Sequence, residues 1–238
     1  MVILRAANER GRANFGWLDS AHTFSFGNYY DPNFMGFSAL RVINDDRVIA
    51  GAGFDTHGHR NMEIISLVLD GTIAHRDSEG NVAHLPAGEF QLMSAGRGIR
   101  HSEFNPSETG GLHFLQIWIQ PDELNTPPGY QQKRFERTQP VQPVITPDGR
   151  DGTLSIRQDT VISHVRLEAE RIGYGLSDAR AYYLHVARGE LVVRIDGQEL
   201  TLRDGDGLAI AGESMIDLAA GAQAEALLFD LPAVDFHD

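Results

Sequence analysis

Short apolar segments recur along the whole chain, and turns rich in glycine, aspartate and asparagine separate them. The longest of these apolar runs is only as long as a strand, so no segment could cross a bilayer as a helix. Many short strands joined by such turns are typical of sandwiches and barrels. The sequence therefore predicts an all-β protein with few helices. The predicted strands are residues 39–43, 64–69, 90–93 and 112–119, followed by 182–186, 191–195, 208–210 and 224–229.

An approximate internal repeat indicates how these strands are organised. Residues 69–89 and 187–206 each contain a strand, a glycine turn, a second strand, another glycine turn and an acidic corner next to glycine. The second copy needs one deletion to align with the first. A repeat of this kind predicts two similar small β-barrels in tandem.

The prolines indicate where the two barrels are joined. Six of the 10 prolines fall between Pro121 and Pro147. Proline has no backbone donor and restricts the residue before it, so this stretch cannot form a central strand or a long helix. The sequence therefore predicts an N-terminal barrel over residues 1–120, a connector over 121–150 and a C-terminal barrel over 151–238.

Composition excludes several classes of function. The formal net charge is −13, with 33 acidic and 20 basic residues, and Lys133 is the only lysine. Such a field repels a polyanion, which argues against direct nucleic-acid binding. The chain has no cysteine, so disulfides, thiolate ligands and cysteine nucleophiles are excluded. The residues after Met1 do not form an apolar leader, and we expect a cytoplasmic protein without membrane attachment.

Two short motifs carry the chemistry of the N-terminal barrel. His57 and His59 are two residues apart, and so are His101 and Glu103. Because side chains two apart on a strand face the same side, each pair would present both side chains to one interior. Three imidazoles and one carboxylate suit a divalent metal ion and leave positions open for water or substrate. The spacing predicts a metal site if the two strands lie side by side.

Glu63 is the alternative source of the carboxylate. It lies about 13 Å from His59 along an extended strand, whereas Glu103 lies only about 7 Å from His101. The shorter separation favours Glu103 as the ligand. Glu63 would then accept a hydrogen bond from a ligand imidazole and orient it.

The sequence around these motifs resembles the cupin superfamily. Gly51, five residues, His57-x-His59 and then Glu63 are similar to the first cupin box, and Gly80, five residues, Pro86-x-Gly88 to the start of the second. The second box then departs from the common pattern, because its histidine is delayed to His101. That departure resembles the pirin family, including bacterial pirin-like quercetin 2,3-dioxygenases. Further matches to pirins cover residues 16–19, 22–26, 30–32, 37–42 and 95–103.

The resemblance implies a fold, a metal site and an activity. The fold is a bicupin of two tandem jelly-roll barrels, and the ligands are His57, His59, His101 and Glu103. Iron(II) is the ion the family leads us to expect, and nickel, cobalt, copper, manganese or zinc would suit the same ligands. The implied reaction opens a flavonol such as quercetin with O2 and releases carbon monoxide. Glu103, with Glu63 as the alternative, would act as the general base.

The C-terminal copy lacks the metal motif. A gapless alignment of the repeats places Gly175, Ser177 and Ala181 where His57, His59 and Glu63 stand in the first copy. No histidine occurs between His185 and His237, so no counterpart of His101 is present. The second barrel is therefore predicted to be metal-free. The remaining histidines of the first barrel are predicted to serve turns, packing or hydrogen bonds, namely His75, His84 and His113.

Two other functions remain open at this point. Eukaryotic pirins resemble metal-dependent binding proteins, in which the metal senses redox state and the surface contacts a protein partner. The second of these alternatives is metal-assisted isomerisation of a small carbonyl compound. Consumption of a flavonol would favour the dioxygenase, and metal-dependent capture of a protein would favour the binding protein.

Overall fold

The computed structural model describes residues 1–234, which form almost exclusively β-strands. Two single-turn 3-10 helices, Ala7–Glu9 and Arg150–Gly152, are the exceptions, and no helix in residues 1–234 is long and apolar enough to cross a membrane. The prediction of an all-β protein with few helices is confirmed. The strands are β1 (Val2–Arg5), β2 (Gly11–Asn14), β3 (Leu18–His22), β4 (Leu40–Val48), β5 (Gly53–His59), β6 (Glu63–Asp70), β7 (Thr72–Asp77), β8 (Val82–Pro86), β9 (Glu89–Ser94), β10 (Ile99–Phe104), β11 (Leu112–Ile119), β12 (Gly129–Arg134), β13 (Val141–Thr146), β14 (Leu154–Ser155), β15 (Val161–Glu168), β16 (Arg171–Gly175), β17 (Ala181–Arg188), β18 (Glu190–Ile195), β19 (Gln198–Arg203), β20 (Gly207–Ala211), β21 (Met215–Ala219) and β22 (Gln223–Leu231).

The chain divides into two compact units. One contains Gly11–Phe135 and Ile156–Gln158, and we call it the histidine unit. The other contains Met1–Arg10, Glu136–Ser155 and the chain from Asp159 onward, and we call it the apolar unit. These bounds differ from those drawn from the prolines, because the first ten residues belong with the C-terminal half.

The histidine unit consists of two antiparallel sheets. The larger sheet has the order β12-β9-β6-β11-β4-β3-β2, and the smaller has the order β5-β10-β7-β8. Leu18, Val68 and Phe114 of the larger sheet pack with Ile73 and Leu85 of the smaller one. Alternation along each strand turns these side chains to one face, so the core of this unit lies between its two sheets.

The apolar unit also consists of a seven-stranded and a four-stranded sheet, although its edge pair β13–β14 is parallel where the β2–β3 pair is antiparallel. Its sheets have the orders β1-β20-β17-β22-β15-β13-β14 and β16-β21-β18-β19. The tandem repeat predicted from the sequence is therefore confirmed. A single large cluster that includes Leu184, Val193 and Leu218 occupies its interior.

The edge strands explain why the unit bounds were not visible in the sequence. β1 pairs with β20 at the edge of the larger sheet of the apolar unit, and β12 pairs with β9 at the corresponding edge of the histidine unit. Residues 121–150, predicted as a connector, thus contain the strands β12 and β13. Pro127 and Pro128 precede the edge strand β12, and the pairing of β13 shifts register at Pro143. β13 nevertheless pairs with β15 on one side and β14 on the other, so the expectation that this stretch forms no central strand is wrong.

Candidate metal centre

Strands β5 and β10 lie side by side in the smaller sheet of the histidine unit. His101 is directly opposite His57, and Ile99 is opposite His59. The period-2 spacing of each motif therefore turns three imidazoles to one face of two neighbouring strands. The structure brings His57, His59 and His101 together as the sequence predicted.

The three imidazoles converge closely. One ring nitrogen of each lies within 4.8 Å of those of the other two. The ring centroids of His57 and His101 are 4.4 Å apart, and their Nε2 atoms are 3.0 Å apart. Within residues 1–234, this is the one group of at least three histidine or acidic residues placed closely enough to share an ion.

A bulge in β5 orients His57. Between the pairs His101–His57 and Glu103–Phe54, β10 advances two residues while β5 advances three. The extra residue turns Phe54 to the same interior as His57. The carbonyl of Asp55, within the bulge, accepts a hydrogen bond from Nδ1 of His57 at 2.8 Å. Nε2 of His57 is consequently the nitrogen that faces the other imidazoles.

Burial keeps two of these imidazoles neutral. Burial, with the charge of His57, lowers the pKa of His59 to about 4. Burial, with the charges of His57, His59 and His75, lowers the pKa of His101 to about 2. A metal ligand must offer a lone pair, so both rings are in the protonation state that binds metal at neutral pH.

Glu103 lies on the same face of β10 as His101 and is 1% exposed. Its Oε2 atom accepts a hydrogen bond from Gln116 at 3.1 Å, and its Oε1 atom has no partner among the described residues. Burial, with the charge of Asp46, raises the pKa of Glu103 to about 8. A carboxylate with one unpaired oxygen in this position is suited to an ion or a proton. It is not, however, part of the close group formed by the three imidazoles.

Glu63 is placed differently. The apolar neighbour Ile64 faces the interior of the unit, so alternation directs Glu63 to the opposite face of β6. There it accepts hydrogen bonds from the Ser94 hydroxyl at 2.8 Å and from the Arg157 backbone N–H at 3.4 Å. The structure does not bring Glu63 to the imidazoles, and of the two carboxylates only Glu103 shares their face.

A cavity of about 640 Å³ adjoins the imidazoles within the histidine unit. His57 and His59 form part of its wall, and the indole of Trp118 packs edge-on against His59 with centroids 5.0 Å apart. This volume lies in the range of small-molecule sites. The apolar and aromatic part of the lining consists of Ala13, Phe15, Leu18, Phe26, Tyr29, Phe54 and Trp118.

A buried polar patch lines another part of the same cavity. The Ser20 hydroxyl donates to Asp46, and a hydrogen bond of 2.8 Å joins Nδ1 of His22 to the Asn44 side-chain oxygen. Burial raises the pKa of Asp46 to about 7, although the Ser20 bond opposes the shift. The cavity therefore combines an aromatic wall with a few fixed polar groups, which is the usual composition of a ligand site.

Sequence reasoning missed several residues of this site. His75 is buried behind His101, and Gln116 contacts Glu103. Alternation along β11 could have found Gln116, the one polar residue on the inward face of that strand. His75 shares its face of β7 with Asp77, and its contact with His101 depends on which strand lies beside β7. His84 is exposed on β8, and Nε2 of His113 lies 2.7 Å from the Asp45 carboxylate, a contact of the hydrogen-bonding kind predicted for it.

The apolar unit has different residues at the corresponding positions. β21 takes the place of β10, because Arg194 is opposite Asp217 as Arg76 is opposite Ser102. The buried side chains of Ile216 and Leu218 therefore stand where His101 and Glu103 stand in the histidine unit. Tyr174, opposite Ile216, takes the position of His57, one residue away from the Gly175 of the gapless alignment. Absence of a metal site from this unit stays a prediction.

The residues of the histidine unit fit a divalent cation. Neutral imidazoles and a carboxylate are ligands for the first-row divalent metals. Nε2 of His59 and Oε1 of Glu103 are buried and have no partner in the described part of the chain. Unpaired buried polar atoms are costly, and a shared ion would satisfy them.

Fold and site together define a two-domain protein of the cupin type with a histidine-based metal centre in one domain. Residues 4–119 match the family described as Pirin, and residues 143–231 match the quercetinase C-terminal cupin domain. The chain belongs to the pirin family.

Three related proteins illustrate the similarity. A protein named quercetin 2,3-dioxygenase from Escherichia coli strain K12 is 54% identical over 235 residues, which covers 98% of this chain and 100% of the relative. A pirin-like protein from Caulobacter vibrioides is 40% identical over 236 residues, covering 97% of this chain and 99% of the relative. The crystal structure of the bacterial pirin YhhW from Escherichia coli in complex with nickel(II) aligns with a TM-score of 0.93 and 52% identity. It covers 98% of this chain and 100% of that one.

Proposed function

We propose that this protein is a metal-dependent dioxygenase that opens a flavonol such as quercetin with O2 and releases carbon monoxide. The observation that carries the proposal is the convergence of His57, His59 and His101, the first two of which line a cavity that also has aromatic side chains in its wall. The name of the Escherichia coli relative supports the choice of substrate.

The proposed ligands are the Nε2 atoms of these three histidines, with Glu103 as the carboxylate. A bound iron(II) ion would supply Lewis acidity towards a substrate oxygen and access to O2 chemistry. The nickel complex of YhhW supports a divalent ion at this kind of site. Metal analysis of protein purified from its native host tests the choice of iron, and zinc would contradict it.

The side chains of the cavity have separable roles in this proposal. Phe26, Phe54 and Trp118 would hold a flat aromatic ring and exclude water. Glu103 would accept the proton of the substrate hydroxyl at Oε1, while Gln116 holds the other carboxylate oxygen. The pKa of Glu103, raised by burial, would fall beside a bound cation and make the carboxylate available as a base.

Aerobic incubation of the iron-loaded protein with quercetin tests the proposal directly. We expect loss of the flavonol absorbance together with release of carbon monoxide. His57→Ala and His101→Ala should abolish turnover, and His84→Ala is the matched control because His84 is exposed on β8. A rate that the first two substitutions leave unchanged would contradict the proposal.

A further inference from the structure

A fourth imidazole lies directly behind the group formed by His57, His59 and His101. His75 is 1% exposed, and its Nε2 atom is 2.9 Å from Nδ1 of His101. Pairing of β7 with β10 produces this contact, because His75 is opposite Glu103 and Asp77 is opposite His101. The distance is that of a hydrogen bond, so one ring donates and the other accepts.

The backbone carbonyl of Asp55 determines which imidazole donates and which accepts in each of these contacts. The Asp55 carbonyl can only accept, so Nδ1 of His57 carries a proton and donates to it. A neutral His57 therefore has a lone pair at Nε2, and Nε2 of His101, 3.0 Å away, is the donor between them. His101 then has its lone pair at Nδ1, and Nε2 of His75 donates to it.

Coordination of an ion by the three histidines requires two of these roles to reverse. His101 can bind through Nε2 only if its proton is at Nδ1. Its Nδ1–H group then donates to Nε2 of His75, and the proton of His75 is carried at its own Nδ1. Each neutral ring holds one proton before and after, so His101 and His75 change tautomer without a net release of protons.

We infer that His75 is a positioning residue that holds His101 in the ligand tautomer and orientation. The backbone carbonyls and carboxylates that usually support metal-bound histidines can only accept. An imidazole can donate in one state and accept in the other. Nδ1 of His75 has no partner among the described residues, and the ring stacks on Tyr130 at 5.2 Å and 29°, which fixes its plane. The inference rests on the proposed metal site and is independent of the flavonol reaction.

The first test is the affinity for Ni²⁺ of His75→Leu and His75→Gln, measured by competition with a chelator. Leucine can neither donate nor accept, and we expect it to weaken Ni²⁺ binding by about 10- to 100-fold. Glutamine carries both a donor and an acceptor and should restore most of the loss. His84→Leu, an exposed histidine on the neighbouring strand β8, should bind as the wild type does. Equal affinity of His75→Leu and wild type would overturn the inference.

The second test reads the tautomers in the wild-type protein and needs no variant to fold. Two-bond proton–nitrogen spectra of protein labelled with ¹⁵N-histidine distinguish Nδ1–H from Nε2–H. We expect His75 to carry its proton at Nε2 after treatment with a chelator and at Nδ1 after loading with Zn²⁺. The same tautomer in both samples would also overturn the inference.

These outcomes separate the inference from the proposed function. A tautomer exchange at His75 in a protein that leaves quercetin intact would contradict the dioxygenase and leave the positioning role standing. Undiminished Ni²⁺ binding by His57→Ala would instead remove the proposed metal site, and the role of His75 with it.

Discussion

At the residue scale, the orientation of His57 is determined both by a short motif and by the groups that surround the imidazole. The motif places the imidazole on the correct face, but the bulge carbonyl of Asp55 selects the nitrogen that faces the other ligands. Nε2 of His75 contacts Nδ1 of His101 in the same way. Two of the three proposed ligands, His57 and His101, are therefore each held by a second group, and such outer contacts contribute to metal affinity.

Glu103→Gln tests the role of the carboxylate. Glutamine keeps the size of the side chain and can still contact Gln116, but it cannot accept the proton of a substrate hydroxyl. We expect the turnover of quercetin by iron-loaded protein to fall by at least about 100-fold. The measurement is the initial rate with the iron content determined on the same sample.

The matched control for that substitution is Glu108→Gln, because Glu108 is exposed shortly after β10. It should leave the rate unchanged. A Glu103→Gln protein that binds iron and retains the full rate would exclude Glu103 as the base.

At the scale of elements, the turns that precede β5 and β10 set the position of the ligands. Gly96, in the turn before β10, has a φ of +49°, and a Cβ added there would lie 2.1 Å from the Thr126 carbonyl oxygen. Gly51, in the turn before β5, has a φ of +69° but nothing within 4 Å of such a Cβ. Both glycines adopt the left-handed conformation, and only at Gly96 would a side chain also collide with the backbone.

Gly96→Ala should therefore be more damaging than Gly51→Ala. Each substitution places a side chain in the left-handed region, which costs about 1–2 kcal/mol. Gly96→Ala additionally forces a backbone contact apart, which costs about 1–3 kcal/mol more. Urea unfolding of the two variants checks this difference, and equal midpoints would contradict it.

The strands themselves were largely predictable, whereas the edges of the sheets were not. Seven of the eight predicted segments fall within observed strands and the eighth, 39–43, begins one residue before β4, because alternating apolar residues and glycine turns are local signals. The pairing of β1 with β20 joins residues about two hundred positions apart, and nothing local in Val2–Arg5 indicates its partner. For the same reason the sequence did not reveal the contact between His75 and His101, because that contact depends on which strand lies beside β7.

At the scale of the whole molecule, two units with the same strand order have different interiors. The histidine unit buries His75, His101, Glu103, Gln91 and Gln116. The corresponding interior of the apolar unit is a continuous cluster of aliphatic side chains with Tyr182. Buried polar groups cost stability unless they are paired, so this difference marks the histidine unit as the one shaped for chemistry.

The apolar unit also contains a carboxyl group, that of Glu225, whose pKa is lowered by its surroundings. Glu225 and His164 are 2.7 Å apart on the paired strands β22 and β15. Burial alone would raise the pKa of Glu225, but the hydrogen bond and charge of His164, with the charges of Arg188 and Arg166, outweigh burial and lower it. A carboxyl whose folded pKa is depressed stabilises the fold above its unfolded pKa, and the contribution is lost as pH falls through the folded value.

Glu225→Gln should therefore lower the free energy of unfolding at pH 7 by about 1 kcal/mol. The difference from wild type should shrink as the pH falls below about 4.3, the ordinary pKa of glutamate. Asp178→Asn, at an exposed position of the same unit, is the control, and its free energy of unfolding should equal that of the wild type at every pH measured. Chemical unfolding at several pH values checks this, and a constant difference would contradict it.

The central claim is that His57, His59 and His101 together hold one divalent ion. Crystals of the protein soaked in Ni²⁺ and measured at the nickel absorption edge test it most directly. We expect one strong anomalous peak bonded to the Nε2 atoms of these three histidines. A peak at any other position, or no peak beside these imidazoles in protein that binds nickel in solution, would contradict the claim.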